Sequence, residues 1–164
     1  MVNETYTVRV SKDYLVFCCA HFITYEGQTC ERLHGHNYRA AAEVVGPLDE
    51  NRYVFDFIAL KNLLREITDE LDHHMLLPTE SRLIRVTEEG QSVRVRFEER
   101  EWVFPREDCV LLPVENTTAE LLARWIGERL REKLGAKGAG RLTAIRVEVE
   151  ESFGQSAEWE LRES

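Results

Sequence analysis

The chain has 164 residues, of which 43% are apolar and 31% charged, and its 21 Lys and Arg against 30 Asp and Glu give a formal net charge of −9. These values fit one globular domain, which we place over residues 1–164. The acidic balance argues against a nucleic-acid-binding surface, which is normally basic. No stretch approaches the roughly 20 apolar residues of a membrane span, and no apolar segment typical of a signal peptide begins the chain. Four cysteines without a CxxC pair are expected to be reduced, so the sequence predicts a soluble cytoplasmic protein.

The strand-like segments lie at both ends of the chain and in its middle. Alternating or continuous apolar patterns predict β-strands, at residues 5–10, 14–19, 38–45, 141–149 and 157–161. Residues 81–104 also change to a period of two and predict an inserted β-hairpin that turns near Gly90.

Two segments have the period of helices that face a core. Asp56–Leu71 and the segment from about Thr118 to Leu134 place leucines and isoleucines three and four residues apart. Asn116 or Thr117 offers an N-cap for the second helix, and Gly135 ends it. Together the strands and helices predict one α+β domain.

All five histidines lie between positions 21 and 74, and His34-Gly35-His36 is the sharpest motif among them. Residues two apart on an extended segment point to the same face, so both imidazoles can reach one metal ion. His21 ends an apolar segment and can supply a third nitrogen. Three protein ligands with an open fourth position are typical of catalytic zinc, although a lone His-x-His pair is also common as ordinary polar side chains.

Cys30 stands four residues before His34. A thiol beside a metal or a cation shifts toward the thiolate, which can act as a base or a nucleophile. The alternatives are that Cys30 is a fourth, structural ligand or an inert core thiol. Cys18 and Cys19 are better explained as buried residues of an apolar strand.

Carboxylates follow the first helix and a late strand. Asp72 beside His73 could polarise that histidine or relay a proton, while the simpler alternative is a helix end at which a histidine interacts with the dipole. Glu150 and Glu151 would ordinarily be solvated charges. A carboxylate at a strand end is also well placed to accept two N–H bonds from a guanidine-like heterocycle.

The order of these motifs along the chain resembles the 6-pyruvoyl-tetrahydropterin synthase family, which includes the 6-carboxytetrahydropterin synthases of the queuosine pathway. The resemblance rests on six segments and covers the chain except residues 79–113. These segments are Phe17-x-x-x-His21, Cys30-x-x-x-His34-Gly35-His36-Asn37-Tyr38, Val54-Phe55-Asp56-Phe57, Leu71-Asp72-His73, Asn116-Thr117-Thr118-Ala119-Glu120 and Val147-Glu148-Val149-Glu150-Glu151-Ser152.

The resemblance implies a tunnelling fold, with an antiparallel four-stranded sheet and two helices on one face. It also implies a homo-oligomer, a trimer or a hexamer, whose subunits join into a β-barrel with active sites at their interfaces. Relative to compact members, the hairpin of residues 81–104 is an insertion whose role the sequence does not give.

The resemblance implies a role for each candidate residue. His21, His34 and His36 match the zinc ligands, and Cys30 matches the catalytic base. Asp72 and His73 match its partner pair, which a neighbouring subunit can supply. Glu151 matches the pterin anchor, and Thr117 and Thr118 match residues of the same pocket.

The implied reaction is zinc-dependent conversion of 7,8-dihydroneopterin triphosphate to 6-carboxy-5,6,7,8-tetrahydropterin, with loss of triphosphate and acetaldehyde. The alternatives are a 6-pyruvoyl-tetrahydropterin synthase, which only eliminates triphosphate, and a non-catalytic pterin or purine binder. A zinc hydrolase is less favoured, because no carboxylate adjoins His-Gly-His as a water-activating base. The net charge of −9 means that a triphosphate would need a local cationic site, for which Lys12, Arg32 and Lys61 are candidates.

Overall fold

The computed structural model describes residues 4–163 and contains two α-helices, one turn of 3-10 helix (Arg106–Asp108) and eleven strands within that range. The helices are α1 (Phe57–Leu71) and α2 (Ala119–Ala136). The strands of the N-terminal part are β1 (Tyr6–His21), β2 (Thr24–Tyr25), β3 (Thr29–Cys30) and β4 (His34–Gly46). The remaining strands are β5 (His74–Pro78), β6 (Arg85–Glu89), β7 (Ser92–Phe97), β8 (Arg100–Pro105), β9 (Cys109–Leu112), β10 (Ala144–Ser152) and β11 (Gln155–Arg162).

The main sheet has six strands in the order β11-β10-β4-β1-β5-β9 and is mixed. Its β11-β10-β4-β1 portion is antiparallel, whereas β5 runs parallel to β1 and β9 runs parallel to β5. The expected antiparallel four-stranded sheet was therefore wrong in strand number and direction. Helix α1 returns the chain so that β5 enters beside β1 in the same direction, and the apolar residues of β5 are buried there.

Both helices pack on the same face of the main sheet. Helix α1 contacts β1 and β4, helix α2 contacts β10 and β11, and the helices contact each other. Their buried residues repeat at helical spacing, as the sequence predicted: Leu60, Leu63, Leu64, Ile67 and Leu71 on α1, and Leu122, Ile126, Leu130 and Leu134 on α2. Burial of these side chains against the sheet holds the helices in place.

The cap of α2 differs from the prediction. Its N-cap is Thr118, whose hydroxyl accepts a hydrogen bond from the Leu121 N–H at 3.4 Å, rather than Asn116 or Thr117. The side chain of Asn116 is used elsewhere, because its Nδ2 donates to the Thr24 carbonyl at 2.8 Å. Thr117 is fully buried between the two.

Strand β1 is long and changes register against β4 between Ser11 and Val16. From Val16 to His21 its pairing with β4 continues without a further register shift. Cys19 is buried, but Cys18 is exposed on the opposite side of the strand. The expectation that both cysteines are buried was wrong for Cys18, because successive side chains of a strand point to opposite faces.

The segment between β5 and β9 contains the insertion expected near residues 81–104. It forms an antiparallel three-stranded meander, β6-β7-β8, which we call the insert. One face of the insert is apolar and packs into a second core, formed with Phe22, Cys30, Met75 and Leu77 among others. Among the helices of residues 4–163, neither is both long and apolar enough to cross a membrane.

Candidate metal centre and active site

Antiparallel pairing of β1 with β4 brings three histidines together. His21 at the end of β1 lies opposite His34 at the start of β4, and Cys19 lies opposite His36. The ring centroids of His21 and His34 are 4.8 Å apart, those of His34 and His36 are 4.8 Å apart, and those of His21 and His36 are 5.3 Å apart. One ring nitrogen from each lies within 4.8 Å of the others. We call these three residues the histidine cluster.

Gly35 allows the two strands to approach at the cluster. A Cβ atom at this position would lie 3.1 Å from the carbonyl oxygen of Cys19, which is closer than ordinary packing allows. The glycine of the His-Gly-His motif therefore serves close contact with β1. Gly35 itself lies within the regular strand β4.

Backbone carbonyls orient two of the three imidazoles. His21 Nδ1 lies 2.9 Å from the Thr117 carbonyl oxygen, and His34 Nδ1 lies 2.8 Å from that of Arg32. Since a carbonyl can only accept, both Nδ1 atoms carry the proton and both Nε2 atoms are unprotonated. Metal-ligating histidines are commonly fixed in this way by a hydrogen bond from the other ring nitrogen. The Tyr38 hydroxyl lies 3.1 Å from His21 Nε2, so a metal ion at this nitrogen would replace that contact.

The chemical state of the cluster fits a metal ion. His36 Nε2 is buried and has no hydrogen-bond partner within residues 4–163, so its lone pair is available. Burial lowers the pKa of His21, which is 1% exposed, and so favours the neutral imidazole that binds metals. Three imidazoles converging from two strands suit a divalent ion of the zinc type and leave a coordination position for another ligand.

A carboxylate and a cavity adjoin the cluster. Glu151 Oε1, on β10, lies 3.8 Å from His36 Nε2, and Glu151 Oε2 accepts a hydrogen bond from the Tyr38 hydroxyl at 3.5 Å. Glu151 and Thr118 line the same cavity of about 370 Å³, together with Ile23 and residues at the start of β11. This volume is within the range of small-molecule sites.

Thr117 and Thr118 have different positions although they are neighbours. Thr118 lines the cavity, whereas the side chain of Thr117 is completely buried. Thr117 contributes its backbone carbonyl to His21, and its hydroxyl lies 3.5 Å from the carbonyl of Phe22. Its observed contacts therefore orient the His21 imidazole instead of lining the cavity.

Cys30 ends β3 and is only 9% exposed. Its Sγ lies 3.5 Å from the Glu31 carbonyl oxygen, and its side chain belongs to the second core. Burial raises the pKa of this thiol, and the nearby Arg100 guanidinium opposes that shift. In the unliganded chain Cys30 is therefore a protonated thiol at neutral pH, not the thiolate that the sequence suggested.

Glu31 is a candidate that the sequence analysis did not single out. Its Oε2 lies 3.9 Å from His34 Nε2, so a second carboxylate borders the histidine cluster. The expectation that no carboxylate adjoins His-Gly-His was therefore wrong. The position three residues before His34 places it on the irregular segment between β3 and β4. The segment Cys30-Glu31-Arg32-Leu33-His34 already contains a carboxylate close to a potential metal ligand, so Glu31 could have been predicted from the sequence.

Asp72 and His73 form a pair at the end of α1. Asp72 Oδ1 accepts a hydrogen bond from the Cys18 N–H at 2.7 Å, and Asp72 Oδ2 lies 2.8 Å from His73 Nδ1. These hydrogen bonds lower the pKa of Asp72, although burial opposes them. The His73 side chain is 82% exposed and pairs with Asp72, while the His73 backbone N–H donates to the Cys18 carbonyl. Neither contact reaches the histidine cluster.

Comparison with known proteins places this arrangement in a family. A family model described as 6-pyruvoyl tetrahydropterin synthase matches residues 9–162. The chain belongs to this family. The resemblance in the order of motifs is thereby confirmed, and the match includes the insert that the resemblance did not cover.

Individual members of the 6-pyruvoyl tetrahydropterin synthase family support the assignment. Proteins from Methanocaldococcus jannaschii and Pyrococcus horikoshii both carry the provisional name 6-carboxy-5,6,7,8-tetrahydropterin synthase. The first is 33% identical over 144 residues, which are 87% of this chain and 88% of its own. The second is 36% identical over 121 residues, which are 73% of this chain and 72% of its own.

A solved structure shares the whole fold. A Plasmodium vivax 6-pyruvoyltetrahydropterin synthase superposes with a TM-score of 0.91 at 29% identity, over 98% of this chain and 99% of that one. That protein is a variant in which a catalytic glutamate has been replaced by alanine. The mixed sheet, the two helices and the additional strands of this chain therefore form the fold of a pterin synthase family.

Proposed function

We propose that this chain converts 7,8-dihydroneopterin triphosphate and water to 6-carboxy-5,6,7,8-tetrahydropterin, triphosphate and acetaldehyde. The observation that carries the proposal is the histidine cluster beside a cavity that contains the Glu151 carboxylate. The choice of the carboxy product over the pyruvoyl product is supported by the names of the sequence relatives.

The metal in this proposal is Zn²⁺, held by His21, His34 and His36. Bound there, zinc supplies Lewis-acid stabilisation of negative charge on an oxygen of the substrate side chain. The Thr117 and Arg32 carbonyls keep two of the imidazoles in the required tautomer. The position of the cluster between two paired strands keeps the three nitrogens at fixed separations.

Glu151 anchors the pterin. Its carboxylate accepts two N–H bonds from the guanidine-like edge of the ring, an arrangement stronger than neutral hydrogen bonds. The Tyr38 hydroxyl donates to Glu151 Oε2 and holds the carboxylate beside His36. Thr118 lines the same cavity and contacts the bound ring. Fixing the ring in this way places the substrate side chain at the histidine cluster.

Proton transfers are assigned to groups on the rim of the cluster. Cys30 removes a proton from the carbon next to the stabilised oxygen, and His73, oriented by Asp72, relays or returns protons. Glu31 provides a second acid–base group, since its carboxylate lies 3.9 Å from His34 and a glutamate is catalytic in the Plasmodium vivax relative.

The enzyme is a homo-oligomer, a trimer or a hexamer, whose active sites combine residues of two subunits. The two edges of the main sheet support this: within residues 4–163, β11 pairs only with β10, and β9 pairs only with β5. Unpaired edges of this kind favour pairing with another copy. The exposed His73 is then available to a neighbouring subunit.

Subunit sharing predicts complementation between two inactive variants. We expect Cys30→Ala and His73→Ala proteins to regain part of the wild-type activity when they are unfolded, mixed and refolded together, because some sites then receive both intact groups. Native mass spectrometry of the mixture would check that hybrid oligomers form. A monomeric wild-type protein, or hybrid oligomers without regained activity, would contradict shared sites.

The reaction is tested by its products. We expect zinc-loaded protein incubated with dihydroneopterin triphosphate to yield a carboxyl-bearing tetrahydropterin and acetaldehyde, both identified by mass spectrometry. A pyruvoyl-bearing pterin without acetaldehyde would move the chain to the alternative branch, whose name the Plasmodium vivax relative carries. Unchanged substrate that binds with a measurable Kd would indicate a non-catalytic pterin binder, and release of phosphate from unrelated esters would indicate a hydrolase.

A further inference from the structure

The insert packs directly against the segment that carries Cys30. Val93, Val95 and Phe97 on β7 are buried in the second core with Cys30 and Phe22. Cys30 is therefore enclosed from one side by residues that belong to the insert. The residues from Glu31 to Leu33 that follow Cys30 have no regular secondary structure, so their conformation depends on such contacts.

Arg100, the first residue of β8, holds this irregular segment by its backbone. One guanidinium nitrogen donates to the Cys30 carbonyl at 2.9 Å, and another donates to the Glu31 carbonyl at 3.0 Å. From the other side, the Glu31 N–H donates to the Ile23 carbonyl at 2.9 Å. The planar guanidinium fork suits two neighbouring acceptors, which a lysine cannot engage in the same way.

The other arginines of the insert behave differently. Arg94 and Arg96 form ion pairs with Glu101. Arg106, directly after β8, pairs with Glu88 of β6 and donates to the Cys109 carbonyl at 3.1 Å. These pairs lie at least partly in solvent, where such contacts contribute little stability. Arg100 is thus distinguished from its neighbours by donating to the backbone of the segment that carries two candidate proton-transfer groups.

Aromatic stacking connects Arg100 to the end of β1. Its guanidinium carbon lies 4.7 Å from the centre of the Trp102 ring. The Trp102 ring stacks on Phe22, with centroids 4.5 Å apart and planes inclined by 22°. Phe22 directly follows the metal ligand His21 in the sequence. A cation over an indole and a stacked aromatic pair each favour one fixed arrangement.

From these contacts we infer that Arg100 is a positioning residue of the active site, which holds the Cys30–Leu33 segment in its catalytic conformation. The inference rests on the function proposed above for Cys30 and Glu31. It gives the insert a role in the reaction of this chain: the insert supplies the support for the segment that joins β3 to His34. The Arg100 charge also favours the ionised form of Cys30, since it opposes the rise in pKa of that thiol caused by burial.

The test compares Arg100→Ala with Arg96→Ala in the zinc-loaded protein. Arg96 is a matched control, because it is an arginine of the same insert whose side chain is 60% exposed and pairs with Glu101 instead of the Cys30–Leu33 segment. We expect Arg100→Ala to lower kcat by about 100-fold, the scale of a misplaced catalytic group, while KM changes much less. Arg96→Ala is expected to retain wild-type kinetics.

Chemical rescue separates positioning from a general loss of structure. Millimolar guanidinium is expected to restore part of the Arg100→Ala activity, because the ion can occupy the vacated site between Trp102 and the two carbonyls. A variant that is merely destabilised would regain no activity, because millimolar guanidinium is too dilute to change its free energy of unfolding and fills no site in it. Absence of rescue together with kcat equal to that of Arg96→Ala would overturn the inference.

A second readout does not depend on turnover. Iodoacetamide labelling of Cys30, followed across pH by peptide mass spectrometry, is expected to need a pH higher by about one unit in Arg100→Ala, because a neighbouring cation is lost. An unchanged midpoint relative to Arg96→Ala would overturn the inference even if the wild-type protein turned over no pterin. If Arg100→Ala does not fold, Arg100→Lys decides: reduced kcat supports the guanidinium fork, and wild-type kcat contradicts it.

Discussion

Replacing His36 with alanine is expected to remove the metal ion and to lower turnover by about 10³-fold, because the metal contributes several kcal/mol of charge stabilisation to the transition state. His36 Nε2 is buried without a hydrogen-bond partner within residues 4–163, so its removal costs the fold no hydrogen bond through that atom. The loss is therefore expected in metal content, measured by elemental mass spectrometry after dialysis, with little change in the unfolding temperature of the metal-free protein.

The expected loss of affinity follows from the size of zinc-binding free energies. Structural zinc sites with four ligands bind with roughly 10–16 kcal/mol, so one ligand contributes about 3 kcal/mol, or roughly a hundredfold in affinity. His74→Gln is the matched control, since His74 begins β5 and is not part of the histidine cluster. Equal zinc content in His36→Ala and the wild type would remove His36 from the metal site.

Replacing Cys30 with alanine is the second change with a large expected effect. General-base catalysis contributes about 10²–10⁴-fold, and we expect kcat to fall by that amount while zinc content stays at the wild-type value. Burial raises the pKa of Cys30, so the thiol is protonated at neutral pH. If its thiolate is the base, wild-type activity is expected to rise as pH increases from neutral toward the pKa of this thiol. Steady-state kinetics across pH would measure both.

Two further variants make this result specific. Cys109→Ala is the control, because Cys109 is buried in the same second core and burial also raises its pKa, yet it lies on β9 without a proposed role in the reaction. Glu31→Gln removes the charge of the neighbouring carboxylate and keeps its size. Full activity in Cys30→Ala would show that Cys30 is not the general base. If Glu31→Gln were then inactive, Glu31 would be the general base instead.

The histidine cluster could be predicted from sequence because its members obey local rules. His34 and His36 share a face by strand alternation, and the order of motifs supplied His21. The pairing that sets His21 opposite His34 depends on the register of β1 against β4, which includes an irregularity between Ser11 and Val16. No local pattern in the sequence encodes that register, so the separations between the rings required the structure.

Four strands were missed: β2 and β3 have only two residues each, and β5 and β9 are short and mostly buried. β5 and β9 have five and four residues, and their apolar runs do not alternate. Such runs cannot be distinguished by periodicity from pieces of a buried helix. The exposure of Cys18 was predictable, since Cys18 and Cys19 are adjacent in one strand and must face opposite ways. The prediction that Cys18 is buried relied on the apolar composition of the segment and ignored the alternation of side chains along a strand.

The cap of α2 and the role of Arg100 were decided by contacts distant in sequence. Three consecutive residues, Asn116, Thr117 and Thr118, can each cap a helix. The Asn116 side chain bonds to Thr24 and the Thr117 hydroxyl donates to the Phe22 carbonyl, which leaves Thr118 for the helix. Likewise Arg100 meets the carbonyl of Cys30 across a separation of 70 residues, and no property of the isolated insert indicates that contact.

X-ray absorption spectroscopy at the zinc edge, on protein purified with its metal and saturated with dihydroneopterin triphosphate or an unreactive analogue, tests the central claim most directly. The structure predicts three imidazole nitrogens at about 2.0–2.1 Å and a further oxygen ligand, with no sulfur in the first coordination sphere. This result would establish that the histidine cluster binds a zinc ion with one coordination position open to the substrate. It would also establish that Cys30 does not bind the zinc ion and is free to act on the substrate. A sulfur ligand near 2.3 Å would make Cys30 a structural ligand, and an absence of zinc would contradict the metal site itself.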